Sequence, residues 1–185
     1  MKNKFGIKEV VASGIGTALF VVLTTVSIPL GFIPNTSLSP RVAVLAFFAA
    51  VFGPVAGGII GFLGHALGDA LFYGSVWWSW VFPDALFGII VGLFAHRFAI
   101  KDGGFTKKNV ILFNVVQVIA NGLAWIVLAP ILDILIYAEP ANKVFVQGVF
   151  AFIGDVIVVA ILGSLLSYGY TKIAGHSSSL EREDD

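Results

Sequence analysis

Phe52-Gly53-Pro54-Val55-Ala56-Gly57-Gly58 decides how this chain folds. It lies inside one long apolar stretch, Arg41 to Phe72. Read as unbroken, that stretch is one kinked helix. Read as broken at Gly53-Pro54, it is a short helix over 41–52, a tight turn, and a second helix over 55–72. Proline lacks the N–H that continues a helix, and Gly-Pro followed by Gly-Gly is a strong turn signal. The sequence therefore predicts the turn. A helix as short as 41–52 at membrane depth then needs shielding by neighbours, which a compact bundle supplies.

Lipid is the solvent that this composition calls for. Of 185 residues, 58% are apolar and 12% are charged, and the mean hydropathy is +0.96. A soluble domain carries about twice that charged fraction. Roughly 20 apolar residues cross a bilayer as a helix. Working outward from the turn, further apolar runs fall at 7–28, 81–98, 109–132 and 143–171. Six spans result, separated by a turn-rich loop over 29–40, an aromatic loop over 73–80, and polar loops over 97–108 and 133–142. The fold class expected is an all-α membrane protein, a compact bundle of six transmembrane helices. It forms a single domain over 1–175 with a polar cytoplasmic tail over 176–185. No cleavable signal peptide is evident, so the first run reads as a permanent helix.

Lys and Arg orient the bundle. With the N-terminus inside, the cytoplasmic face holds Lys2, Lys4, Lys8, Arg97, Lys101, Lys107, Lys108, Lys172 and Arg182, against Arg41 and Lys143 outside. Nine against two favours N-in and C-in. A five-span reading would put 97–108 outside, so the charge pattern supports the Gly53-Pro54 turn independently. The location implied is the plasma membrane of a prokaryote, with multiple passes.

Polar groups within the spans are costly and mark function or interhelical bonds. Placed at about 1.5 Å per residue, His65, Asp69, Asp84 and Gln147 fall in the outer half. Asn121 and Asp155 fall near the middle or slightly outward, and Asn114 lies closer to the cytoplasm. Gln117 shares the fifth span. The grouping suggests a pocket open to the outside. His65 and Asp69, four apart, share a helix face and read equally as a ligand contact or as a packing pair. Asp84, after Pro83, reads better as a helix cap than as a site residue. Asp155 lies deep and reads as a functional group or an interhelical bond. Asn121 and Trp125, again four apart, suit hydrogen bonding to and stacking on a ligand, or equally helix packing. Trp77, Trp78 and Trp80 form either an interfacial belt or a lid over a flat ring. The outer side is acidic: Asp69, Asp84, Asp133, Glu139 and Asp155 oppose Arg41 and Lys143. A neutral or cationic aromatic compound fits it better than an anion.

On the first span, Ala12 lies over Gly16 and Gly14 over Ala18. Small residues at this spacing let another helix approach closely, within the bundle or from a partner protein. Cysteine is absent, which excludes disulfides and Cys-based metal sites. No P-loop, His-Glu-x-x-His or Gly-x-Ser-x-Gly motif occurs, so neither ATP hydrolysis by this chain nor a metal or cofactor is expected.

These features together resemble the substrate-binding S components of energy-coupling-factor (ECF) transporters. The stretch Val51-Phe-Gly-Pro-Val-Ala-Gly-Gly-Ile-Ile-Gly-Phe-Leu-Gly-His-Ala-Leu-Gly-Asp-Ala70, with Tyr73 to Trp80 after it, is similar to the segment of the riboflavin and hydroxymethylpyrimidine subfamily. The resemblance implies a transport subunit that is not an enzyme and captures a vitamin or precursor at the outer face. Hydroxymethylpyrimidine is the first candidate and riboflavin the second. His65, Asp69, Asn121, Trp125 and one of Trp77 to Trp80 would form the pocket. It also implies partners: a transmembrane coupling protein, docked through the first helix, and two cytosolic ATPases, with no nucleic acid. The family's helix motif is Ala-x-x-x-Ala, whereas this chain has Ala12-x-x-x-Gly16. An intramembrane enzyme using His65 with Asp69 or Asp84, an autonomous secondary transporter and a structural membrane scaffold are the rival readings.

Overall fold

A computed structural model describes residues 6–29 and 37–180. Lys2, Lys4 and Arg182, counted above toward the cytoplasmic face, lie outside the described residues, as do the central part of the 29–40 loop and the last five positions of the tail. The fold is all-α apart from one short antiparallel pair, β1 (Ile28–Pro29) and β2 (Ser37–Leu38). The helices are α1 (Ile7–Thr24), α2 (Arg41–Phe52), α3 (Pro54–Phe72), α4 (Trp78–Leu93), the short α5 (Ala95–Phe98), α6 (Lys107–Asn121), α7 (Ala129–Tyr137), α8 (Ala141–Val158) and α9 (Ser164–Leu180). Wider π-helical turns over Gly122–Leu128 join α6 to α7, and others over Val159–Gly163 join α8 to α9.

Among the described residues, four helical stretches are long and apolar enough to cross a membrane: Ile7–Thr24, Pro54–Phe72, Lys107–Tyr137 and Ala141–Ala174. The apolar helices α2 and α4 are shorter. The break between α2 and α3 falls where Gly-Pro places it. Gly53 has φ 92°, a left-handed conformation that glycine adopts without a Cβ clash, and Pro54 opens α3 where its missing N–H costs nothing. The two helices fold back on each other, because a Cβ on Gly57 would press on the Cβ of Ala49.

Several boundaries differ from expectation: the span expected over 81–98 ends at Leu93 with the short α5 after it, and the last helix runs on to Leu180. The fourth helix begins at Trp78 rather than near residue 81, so Pro83 and Asp84 lie inside it. The fifth continues through Asp133 to Tyr137. The first ends at Thr24.

Glycine sets the spacing of the bundle. A Cβ on Gly57 would collide with the Gly88 carbonyl, one on Gly88 with the Gly57 carbonyl, one on Gly61 with the Asp84 carbonyl, and one on Gly92 with Gly53 and Pro54. The backbones of α3 and α4 therefore touch along their length, as small-xxx-small spacing permits in lipid, where packing replaces the hydrophobic effect between helices. The other face of α3 meets α1, with Gly64 against Phe20 and Gly68 against Thr24. The buried core runs through Phe20, Leu45, Ile60, Phe87, Phe98 and Phe113.

The helices share two distinct ends. At one, Lys101 reaches Glu9 at 3.6 Å and the Thr171 hydroxyl donates to the Ile100 carbonyl at 3.2 Å. At the other, Ser39 donates to the Leu23 carbonyl and the 73–80 segment folds over α7. Lys101, assigned to the inner face by charge, and Arg41 and Lys143, assigned to the outer face, thus lie at opposite ends.

Gly57→Val should separate α3 from α4 and destabilise the fold by about 1–3 kcal/mol, the usual cost of overpacking. Gly14→Ala, whose added methyl meets nothing within 4 Å, should be neutral. Thermal melting of both variants in detergent checks the contrast, and equal melting would refute the glycine contact.

Candidate functional site

A cavity of about 580 Å³ occupies the end where Trp77, Asp133 and Arg41 gather. Its volume falls in the range of small-molecule sites. The helices deliver its lining by simple geometry. Because Gly61 lets α3 lie on the Asp84 carbonyl, His65, one turn further along α3, meets the Asp84 side chain of α4: His65 Nδ1 is 2.6 Å from Asp84 Oδ2. His65 Nε2 is 3.5 Å from Asp69 Oδ1. All three side chains are buried. A neutral imidazole can donate to one of these carboxylates, and an imidazolium to both. Asp84 therefore does not cap α4. It lies in the second turn of that helix and faces α3, and the capping expectation is corrected.

The aromatic segment is latched down by carboxylates. Asp133 accepts from the Trp77 indole (2.7 Å), the Trp80 indole (2.9 Å) and the Ser79 hydroxyl (2.5 Å). Asp69 accepts from the Trp77 backbone N–H at 2.9 Å, and Trp78 donates its backbone N–H to the Tyr137 hydroxyl at 3.0 Å. The Trp77 ring stacks on Tyr137 with centroids 4.1 Å apart, and Trp80 meets Trp125 edge to face at 5.6 Å. Trp125 stands on the π-helical turns, and its carbonyl touches Gly148 of α8, where a Cβ would collide. π-Turns of this kind often re-aim a side chain at a functional site.

Of the eight residues expected to contact a ligand, His65, Asp69, Trp77, Trp80, Trp125 and Asp155 line the cavity. Trp78 and Asn121 do not. Trp78 is half exposed and packs against Phe62 and Phe82. Asn121 is fully buried and donates to Gln117 Oε1 at 2.9 Å, and Gln117 in turn approaches Asn114 and the Val156 carbonyl. These amides tie α6 to the last helical rod below the cavity. On α1, Ala12 and Gly16 face inward, Gly16 against Ile60 and Phe48, while Gly14 and Ala18 are exposed.

The sequence groups Asp84 and Gln147 with the outer-half polar residues without making them ligand contacts, and it treats Arg41, Asp133, Glu139 and Lys143 only as charges. Arg41, Asp84, Asp133, Glu139, Lys143 and Gln147 line the same cavity. Five carboxylates thus face two permanent cations across it, which disfavours an anionic ligand. Asp133 had a legible signal: it is a lone carboxylate in the apolar run Trp125 to Tyr137, and an isolated charge inside such a run belongs in a helix and needs partners.

Three comparisons bear on this site. The model of a family described as the ECF-type riboflavin transporter S component matches residues 4–172. A UPF0397 protein of Exiguobacterium sp. is 50% identical over 98% of this chain and 99% of its own length. A UPF0397 protein of Streptococcus gordonii is 50% identical over 97% of this chain and 96% of its own, and one of Enterococcus faecalis is 46% identical over 99% and 100%. No solved structure matches.

Asp133→Ala should leave two indole N–H groups and a hydroxyl without an acceptor. Each hydrogen bond to a charged group contributes about 1.5–3 kcal/mol, so a loss of about 3 kcal/mol or more is expected, with red-shifted tryptophan emission as the segment loosens. Unchanged melting and emission would refute the latch.

Proposed function

The chain belongs to the family of ECF-type riboflavin transporter S components, and from that premise we propose that it captures a vitamin or vitamin precursor in the 580 Å³ cavity and delivers it across the membrane through an ATP-driven coupling module. Hydroxymethylpyrimidine is the first candidate ligand and riboflavin the second. The observation that carries this reading is the cavity itself, in which three indole-bearing residues, Trp77, Trp80 and Trp125, share one space with hydrogen-bonding side chains. Flat rings bind such walls through stacking and apolar burial. His65, Asp69 and Asp155 supply polar contacts.

The topology proposed is six spans with both termini cytoplasmic, α2 and α4 being the short spans. A single domain over 1–175 precedes a cytoplasmic tail. The nine-to-two asymmetry of Lys and Arg supports it. The cavity then opens outward, at the end opposite the Lys101–Glu9 pair. A plasma-membrane location in a prokaryote follows from the same reading. Partners are a transmembrane coupling protein and two cytosolic ATPases, because this chain has no P-loop of its own. Docking onto the coupling protein uses the outward face of α1. Ala12 and Gly16 are occupied within the bundle, so the small residues offered are Gly14 and Ala18, beside exposed Val10, Val11 and Ile15.

Two outcomes test the proposal. Titration of the purified chain with a vitamin panel, followed by tryptophan fluorescence, should find a ligand bound at micromolar affinity or tighter, and Trp125→Ala should weaken it about tenfold. Liposomes holding the chain alone should take up none of it. Uptake without the ATPases would favour an autonomous transporter, and chemical conversion of the ligand would favour an enzyme. Separately, Gly14→Trp should leave ligand affinity intact yet abolish uptake when the chain is combined with its coupling module. Normal uptake by that variant would place docking elsewhere.

A further inference from the structure

The charged side chains around the cavity are largely spoken for. Lys143 pairs with Glu139 at 2.7 Å. Asp84 holds His65, Asp69 holds the Trp77 backbone and flanks the same His65, and Asp133 has three donors. Two charged lining residues remain with neither an ion pair nor more than one long hydrogen bond among the described residues: Arg41 and Asp155.

Arg41 is positioned without being neutralised. It opens α2, its guanidinium lies 5.1 Å from the centre of the Phe20 ring, and Nη1 donates one long bond of 3.4 Å to the Thr24 hydroxyl. A guanidinium has five donors, and among the described residues only this one is engaged. Asp155, on α8, is half-buried and lies within electrostatic range of Arg41 but forms no ion pair with it. The Trp125 indole N–H lies near the Asp155 carboxyl without forming a hydrogen bond of good geometry. Leaving a guanidinium and a carboxyl group short of hydrogen-bond partners in a confined, indole-walled space is unfavourable unless something bridges them.

We infer that Arg41 and Asp155 together read the edge of a neutral, flat nitrogen heterocycle in which an N–H donor adjoins a lone-pair acceptor. Arg41, which can only donate, gives to the ring nitrogen or carbonyl oxygen, and Asp155 takes the neighbouring N–H on a carboxyl oxygen. The inference rests on the capture reading above and narrows it: of the neutral and cationic aromatic compounds that an acidic cavity admits, an arginine with no ion pair among the described residues disfavours the cations and selects the neutral ones. An aminopyrimidine and the uracil-like edge of a flavin both present such a donor–acceptor pair. A zwitterionic amino acid would also offer partners to both groups, and of these only an aromatic one would bring a flat ring to the three indoles.

The test uses the full chain purified without added ligand and calorimetric titration. The probes are hydroxymethylpyrimidine, riboflavin, and a blocked form of each, the 4-dimethylamino pyrimidine and N3-methylriboflavin. Free tryptophan is the zwitterionic control. The wild type should bind one parent at least tenfold tighter than its blocked form, and which parent it is separates the two sources. Asp155→Ala and Arg41→Met should each lose about tenfold to hundredfold in affinity for that parent, the range for a hydrogen bond to a charged group. Asp155→Ala should also lose the discrimination against the blocked form. Both ligand-free variants should melt close to the wild-type temperature, because each removes a group with few bonds to the rest of the fold among the described residues. Parent binding that is equal in the wild type and both variants overturns the inference alone and leaves the capture reading standing. A shared fall in melting temperature with discrimination intact overturns it in favour of a structural role, and preferential binding of tryptophan overturns the heterocycle. Failure of the wild type to bind any member of a vitamin panel overturns both readings.

Discussion

The backbone contact between α3 and α4 is the constraint from which the site descends. Gly57, Gly61, Gly88 and Gly92 bring the two helices closer than any side chain would permit. At that separation His65 and Asp84, on different helices, bond at 2.6 Å, and Asp69, one turn beyond, reaches the loop that leads into α4. A bundle spaced by leucines would hold the same residues several ångströms apart. Glycine here supplies proximity more than flexibility, and the cost in helix propensity is offset by packing and by the interhelical hydrogen bonds that proximity allows.

A second layer of order rests on the first. With α4 seated, its N-terminal turn carries Trp77, Ser79 and Trp80 to Asp133, and one carboxylate organises the aromatic rim. Three donors on one acceptor allow a charged group to sit buried without a cation beside it. The rim is therefore built as part of the fold, and Trp77 and Trp80 stand as walls whose polar edges are already satisfied. Their faces remain the useful surface.

Much of this was legible in the sequence, and the misses share a cause. Hydropathy, the Gly53-Pro54 break and the helical spacing of His65 and Asp69 are local properties, and the helices follow them closely: α2 spans the expected residues, and α3 differs by one position. Errors arose where a tertiary bond overrides a local rule. Asp133 looked like the start of a loop because a charge usually ends a span, yet two indoles from another segment hold it inside a helix. Asp84 looked like a cap because it follows a proline, but α4 starts a turn and a half earlier and the carboxylate answers His65. Asn121 shares a helix with Trp125 at the right spacing, but the π-helical turns that begin at Gly122 separate their faces, leaving the amide in a ladder with Gln117. The glycines of α3 and α4 carry a packing signal as strong as the one on α1, and their close contact follows from it.

The division of labour on α1 follows from the same physics. One stripe of small residues, Ala12 and Gly16, is consumed by Phe48 and Ile60, and the other, Gly14 and Ala18, is left facing outward. In lipid an exposed smooth stripe gains little from being apolar, since the solvent is equally apolar. Its advantage appears only when another helix packs against it. A helix that satisfies its own bundle with one stripe can keep the second for a transient partner without destabilising the fold. That separation would let the proposed capture cavity at one end of the bundle and the proposed docking face along α1 be altered independently.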